Sequence, residues 1–117
     1  MNVFPRLDAL HYLIITREDR VVAHCLDLDL VAVGKDRATA EYRLNAAVSV
    51  QIATAYATGN YEGLFFHAPA EYWQQMSQAE ALPLTTLTLE TSPPMVLPVE
   101  RKIKVQLPVF RAVTVAR

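Results

Sequence analysis

Residues 21–48, VVAHCLDLDLVAVGKDRATAEYRLNAAV, hold the change from strand to helix on which the fold turns. Val21 to Leu26 is a run of apolar and β-branched residues, the composition of a strand. Asp27-Leu28-Asp29 interrupts the run, and Leu30 to Val33 resumes it as a further strand. Gly34 ends that strand, where the backbone is expected to need a conformation that other residues resist. Asp36 is a good N-cap, because its carboxylate can accept an amide hydrogen of the first helical turn. Ala40, Leu44, Ala47, Val48, Ile52, Ala55 and Tyr56 then recur at helical spacing and form one apolar stripe. Arg37, Glu41, Arg43, Asn45 and Gln51 fall away from the stripe, and Gly59-Asn60 closes the helix.

Upstream, Leu10 to Arg17 (LHYLIITR) has apolar groups on both faces, which predicts a central strand. The turn Glu18-Asp19-Arg20 makes it a hairpin with Val21–Leu26. Downstream, Leu64, Phe65 and Phe66 suggest a short strand. Pro69 suits the first turn of a second helix running to about Ala81, with Tyr72, Trp73, Met76 and Ala79 as its apolar face. Pro83 stops it. Leu84 to Thr91 alternates leucine with threonine and reads as a strand, and Ser92-Pro93-Pro94 with Pro98 makes a stiff connector. Ile103, Val105 and Leu107 alternate with Lys102, Lys104 and Gln106, a strand with one wet face, and Val109 to Ala116 is a further strand after Pro108. The expected fold is α+β: a two-layer β-β-β-α sandwich with an additional short helix and C-terminal strands. It forms one domain over 1–117, with its core in 8–82 and a β extension over 84–117.

With 117 residues, 52% hydrophobic and 20% charged, the chain can build a core and is not of disordered composition. Cys25 is the only cysteine, so no intrachain disulfide forms; a lone thiol in an apolar run suits a reducing compartment. Met1 to Leu10 contains Arg6 and Asp8 but neither a signal peptide nor a membrane span, and the expected location is cytoplasmic. All 12 acidic residues lie between Asp8 and Glu100, while Arg101, Lys102, Lys104, Arg111 and Arg117 make the tail basic. An acidic body disfavours nucleic acid and favours a basic partner. The tail reads as an exposed strand kept apart from its neighbours by charge.

Several residues invite a chemical reading. Asp27 and Asp29, near His24 and Glu41, could supply two ligands to Mg²⁺ for nuclease chemistry, which needs several carboxylates around the ion. The simpler expectation is a pair of turn aspartates at a strand junction, since no motif places a third carboxylate. His11 and His24 on paired strands are expected to be packed and hydrogen-bonded. His67 has no partner in sequence, and three scattered histidines with one cysteine show no zinc spacing. Cys25 and His24, as neighbours on a strand, point to opposite faces and make no nucleophile–base pair. Gly34 and Gly59 stand alone, so there is no phosphate-binding loop. Tyr72-Trp73 could stack a base, but its spacing with Met76 fits core or interface. The candidate partner-binding residues are His24, Asp27 and Asp29; no catalytic residue, cofactor or metal is assigned.

The hairpin entry, the CLDLDL stretch, the glycine two residues before the N-cap and the buried positions Ala40, Leu44 and Val48 together resemble the HicB-like family of bacterial antitoxins. The likeness runs from Leu10 to about Gln51. It implies a partial RNase H-like fold, no enzyme activity, and pairing with a small basic HicA-like toxin that cleaves RNA, which the domain would block by contact. Asp36-Arg37-Ala38-Thr39 departs from the threonine and glutamates that many relatives carry there. Arg101 to Pro108 looks like the opening strand of a ribbon-helix-helix, but the residues after Pro108 are too few and too β-rich for its two helices, so DNA binding by that route is not expected. The late strands, Leu84–Thr91 and Arg101–Leu107, are expected to leave edges that pair between subunits, so a homo-oligomer is expected.

Overall fold

The computed structural model describes residues 7–60, 66–91 and 103–116. Its elements in chain order are β1 (Leu10–Thr16), β2 (Val21–Cys25), β3 (Leu30–Gly34), α1 (Arg37–Thr58), α2 (Ala70–Ser77), β4 (Glu80–Ala81), β5 (Thr85–Thr91) and β6 (Ile103–Val115). The strands form one mixed sheet in the order β3-β2-β1-β6-β4, with β5 also paired to β6. This is the α+β, β-β-β-α arrangement that the sequence predicts. Of the expected strand over Leu64, Phe65 and Phe66, Phe66 is in no strand and is exposed, while Leu64 and Phe65, like the proline connector from Ser92 to Pro98, lie outside the described residues.

β1 is central, as its two apolar faces require: it pairs antiparallel with β2 and parallel with β6. Leu10, Tyr12 and Ile14 point into the larger core with Ala23 and Cys25 of β2, while Leu13 and Ile15 enter a second cluster on the other face. α1 covers the first face with the predicted stripe: Ala40, Leu44, Val48, Ile52, Ala55 and Tyr56 are buried. Asp36 caps it, accepting from Thr39 N at 2.7 Å, and Gly59 closes it in the left-handed region at φ 70°.

A helix of 22 residues is about 33 Å long, whereas a strand of seven spans only about 23 Å. The second half of α1 therefore overruns the β1–β3 sheet. β6, with 13 residues, makes up the difference. Its first half pairs with β5 and places Leu87, Leu89 and Leu107 in the same core as α1; its second half runs beside β1 at the centre of the sheet. Two strands separated by Pro108 are expected from the sequence, but the structure has one. Val109 pairs with β5 on one side of β6 and with β1 on the other, so Pro108 lies one residue before the β1 pairing begins. A residue without an N–H is tolerated where one side of a strand has no partner, as the β1 side has none at Pro108 among the described residues.

α2 is shorter than expected. It ends at Ser77 because the chain turns there to pair with β6: Glu80 lies opposite Val113, and Leu82 N donates to Arg111 O at 2.9 Å. Tyr72, Trp73, Met76 and Ala79 pack on the second sheet face, over Leu13, Ile15, Leu26 and Ala68.

The role of Gly34 also differs from the expectation. Gly59 is the glycine with positive φ among the described residues, and Gly34 is needed for space instead. A Cβ there would lie 2.5 Å from Ala40 N and 3.0 Å from Ala40 Cα, both backbone atoms of the first turn of α1. Gly34→Ala should therefore push α1 off the end of β3 and cost about 1–3 kcal/mol, the range for overpacking. Urea denaturation checks this; a loss under about 0.5 kcal/mol would mean that the junction yields freely.

Candidate functional site

The turn between β2 and β3 carries Asp27 and Asp29, with His24 on the end of β2 beside it, and the ladder explains its shape. The bond from Leu26 N to His11 O at 2.9 Å extends the β1–β2 pairing one step past Cys25. The return bond, His11 N to Leu26 O, is not made. His11 N donates instead to Asp27 Oδ1 at 2.6 Å, and Leu26 O accepts from Ala68 N at 2.8 Å. The Asp27 carboxylate thus stands in for a carbonyl, and the released carbonyl ties the segment leading into α2 to the sheet. Asp27 Oδ2 lies 2.9 Å from His11 Nδ1, and the Cys25 thiol is 3.9 Å from Oδ1. An ionised carboxylate only accepts, so His11 carries its proton on Nδ1.

Asp29 adopts left-handed backbone, φ 52°, a conformation that aspartate tolerates better than most residues. Its Oδ1 accepts from His24 Nε2 at 2.7 Å. The two aspartates therefore do not converge; each holds a different histidine. His24 is 5% and Asp27 8% exposed, while the Asp29 side chain is 44% exposed. Of the three candidates, Asp29 is the one whose carboxylate is open to solvent. His24 and Asp27 act on the surface only by holding the turn.

Aromatic rings close the corner. His11 stacks on Phe110, with centroids 5.4 Å apart at 17°, and meets Trp73 at 5.3 Å and 59°. His24 lies edge-on to Tyr72 at 4.9 Å, and His67 is 6.0 Å from Trp73. Trp73 Nε1 donates to Ala68 O at 3.2 Å. The Tyr72-Trp73 pair is thus occupied by histidine rings and packs as core.

Cys25 faces the α1 side, away from His24, and is fully buried. Burial, helped by the nearby Asp27 charge, pushes its thiol up to about 12, far from nucleophilic use at neutral pH. Among the described residues no three His, Cys, Asp or Glu side chains come together in a way that could hold a metal ion.

The His11 imidazole has its pKa raised, chiefly by the hydrogen bond to Asp27 and further by that carboxylate's charge, with burial opposing. A folded-state pKa above the unfolded value of about 6.5 contributes stability that is complete below that pH. It is lost as pH rises through the raised folded value. The domain should therefore weaken on going upward from about pH 6.5, and Asp27→Asn should flatten that slope. Urea midpoints across this pH range test it; an unchanged slope in the variant would assign the titration to another group.

Other polar contacts were not evident from local sequence. Glu41, beside the helix stripe, grips Arg111 from β6, 70 positions away, with Nε–Oε1 2.5 Å and Nη2–Oε2 3.1 Å. Asn45 accepts from the Tyr12 hydroxyl at 2.7 Å. The hydroxyl's pKa is driven upward, mainly by burial, which keeps it protonated as a donor. Arg111 is thereby removed from the basic tail as a free charge, while Lys104 remains exposed; Arg101, Lys102 and Arg117 lie outside the described residues. A shallow open depression of about 570 Å³ lies at the hairpin end of the sheet, lined by Thr16, Val21, Asp36, Arg37, Glu41 and Arg111. In it Glu41 and Arg111 hold each other and Asp36 caps the helix.

No described helix is long and apolar enough to cross a membrane. Compared with protein-family models, with curated proteins and with solved structures, the chain finds no match.

Proposed function

We propose that the chain is a non-enzymatic protein-binding module of the HicB-like kind, which neutralises a small basic RNA-cleaving toxin by contact. The carrying observation is how the reactive groups of the histidine–aspartate corner are used. Asp27 is consumed by a backbone N–H and His11, and Cys25 is buried on the other face with its thiol pushed up to about 12. The remaining carboxylate, Asp29, stands at the surface beside an open sheet edge. Asp8, Glu18, Asp19, Asp36, Glu71, Glu80 and Glu90 are exposed as well, a slight acidic excess over the exposed Arg17, Arg20, Lys35, Arg37, Arg43 and Lys104 that suits a basic partner. The expected setting is the cytoplasm, where a single thiol stays reduced.

The experiment is to mix the purified chain with the small basic protein encoded beside it and measure stoichiometry by light scattering. A complex of defined ratio that inhibits RNA cleavage is the expected result, with affinity falling as salt rises. Absence of any complex would sink the antitoxin reading. The competing reading, a Mg²⁺-dependent nuclease using Asp27 and Asp29, predicts cleavage by the chain alone that vanishes in Asp29→Ala.

A further inference from the structure

β3 is the last strand of the sheet, and among the described residues nothing pairs with its outer side. The phase of the ladder shows which groups that side offers. Arg17 N donates to Arg20 O across the hairpin, and Leu26 N donates to His11 O. Even-numbered residues of β2 therefore bond to β1, and odd-numbered ones bond to β3. Ala23 lies opposite Ala32, and Cys25 opposite Leu30, so Leu30, Ala32 and Gly34 direct their backbone groups at β2. Val31 and Val33 direct theirs outward. Arg43 Nη1 reaches Val33 O at 2.8 Å, in agreement with an outward carbonyl, whose second lone pair remains available.

The edge lacks the usual guards. From Leu30 to Gly34 it has no charge and no proline. On the face away from α1 its side chains are Val31 and Val33, 54% and 42% exposed, beyond the reach of α2, which packs over Val22 and Leu13 instead. Asp29 and Lys35 flank the strand symmetrically about Ala32, and both are exposed.

That symmetry selects a partner. An antiparallel neighbour that is a second copy of the same strand can lie in several registers. Centring on Val31 would set Val33 against Asp29, and centring on Val33 would set Val31 against Lys35. Centring on Ala32 sets Val31 against Val33 and Asp29 against Lys35, twice over, with the outward backbone groups of both strands facing each other. We propose that the β3 edge joins two copies of this chain in an antiparallel pair centred on Ala32, Asp29 of each against Lys35 of the other, making one continuous sheet. The four valines then form a shared apolar patch on the face that α2 leaves bare. The proposal is independent of which toxin, or whether any toxin, the module binds.

The test needs only the full chain. Sedimentation equilibrium should show a monomer–dimer equilibrium, with amide exchange at Val31 and Val33 slowing as concentration rises. Lys35→Glu replaces both cross-strand pairs by repulsions and should raise the dissociation constant about tenfold or more, whereas Lys35→Arg should leave it nearly unchanged. Ala32→Cys should form an interchain disulfide under mild oxidation, because the Cα atoms of such a pair lie about 4.5 Å apart, within disulfide reach. Cys25 is buried and cannot substitute for it. Circular dichroism of each variant separates loss of pairing from loss of fold. A chain that stays monomeric at every concentration overturns the proposal and leaves the edge to a strand of another protein. A dimer that ignores Lys35→Glu and gives no Ala32→Cys crosslink also overturns it, by placing the contact on another surface.

Discussion

Glu41→Ala should destabilise the domain by about 1–3 kcal/mol, the range for losing hydrogen bonds to a charged group. The Glu41 and Arg111 side chains are only 15% and 14% exposed, and they meet as a two-pronged pair. The carboxylate holds the Arg111 pKa above its ordinary value, mainly through the hydrogen bond. Removing it leaves the half-buried guanidinium with Pro83 O, at 3.0 Å, as its protein acceptor on the wall of the depression. The damage should spread, because Arg111 O also holds Leu82 N and so the β4 edge. Arg111→Ala should cost a similar amount from the other side. Replacing both residues with leucine should recover most of the loss, since an apolar pair leaves no stranded charge. Urea denaturation of the two single variants and the double variant checks this. If Glu41→Ala costs less than about 1 kcal/mol, the guanidinium is hydrated and the pair is a surface one.

Leu44→Ala should cost about 2–5 kcal/mol. Leu44 has no exposed surface and sits mid-helix, among core residues from β1, β2 and β6. The covering helix is long and bound at both ends, so it cannot settle into the space a leucine leaves. The opposite face makes the contrast. Met76, on α2, is only partly buried, and Met76→Ala should cost clearly less, because water already reaches its surroundings. Thermal or urea unfolding of the two variants side by side gives the comparison. Equal losses would mean that α2 seals its face as tightly as α1 does. The α1 face thus holds the domain together, while beside the α2 face Val31 and Val33 are left uncovered.

The local elements were legible because each rests on interactions within a few residues. The stripe from Ala40 to Tyr56 matches the turn of a helix, Asp36 needs only the amide of Thr39, and the two-sided apolar run Leu10–Arg17 can only be central. Misreadings arose where a distant partner decided. Pro108 looks like a break until β5 is seen to pair along one side of β6 straight past it, with β1 joining on the other side from Val109. α2 stops before Ala81 because β6 recruits the chain at Glu80. Gly34 is required by the approach of Ala40, not by its own dihedral angles.

The candidate corner divides in the same way. From the residues alone, Asp27 and Asp29 are turn aspartates and His11 and His24 are packed strand histidines, and both descriptions hold. Which aspartate serves which histidine depends on the one-residue extension of the β1–β2 ladder to Leu26 and on the left-handed backbone at Asp29.

Taken alone, then, the order of residues determined the strand–strand–strand–helix sequence, the buried stripe and the acidic character of the body. Periodicity and capping are written in neighbours. Only the tertiary structure decided that β6 runs parallel beside β1, that Glu41 meets Arg111, and that β3 is the last strand of the sheet among the described residues. Those contacts join positions up to 99 residues apart, and no local pattern encodes which distant strand closes a sheet or which strand ends it.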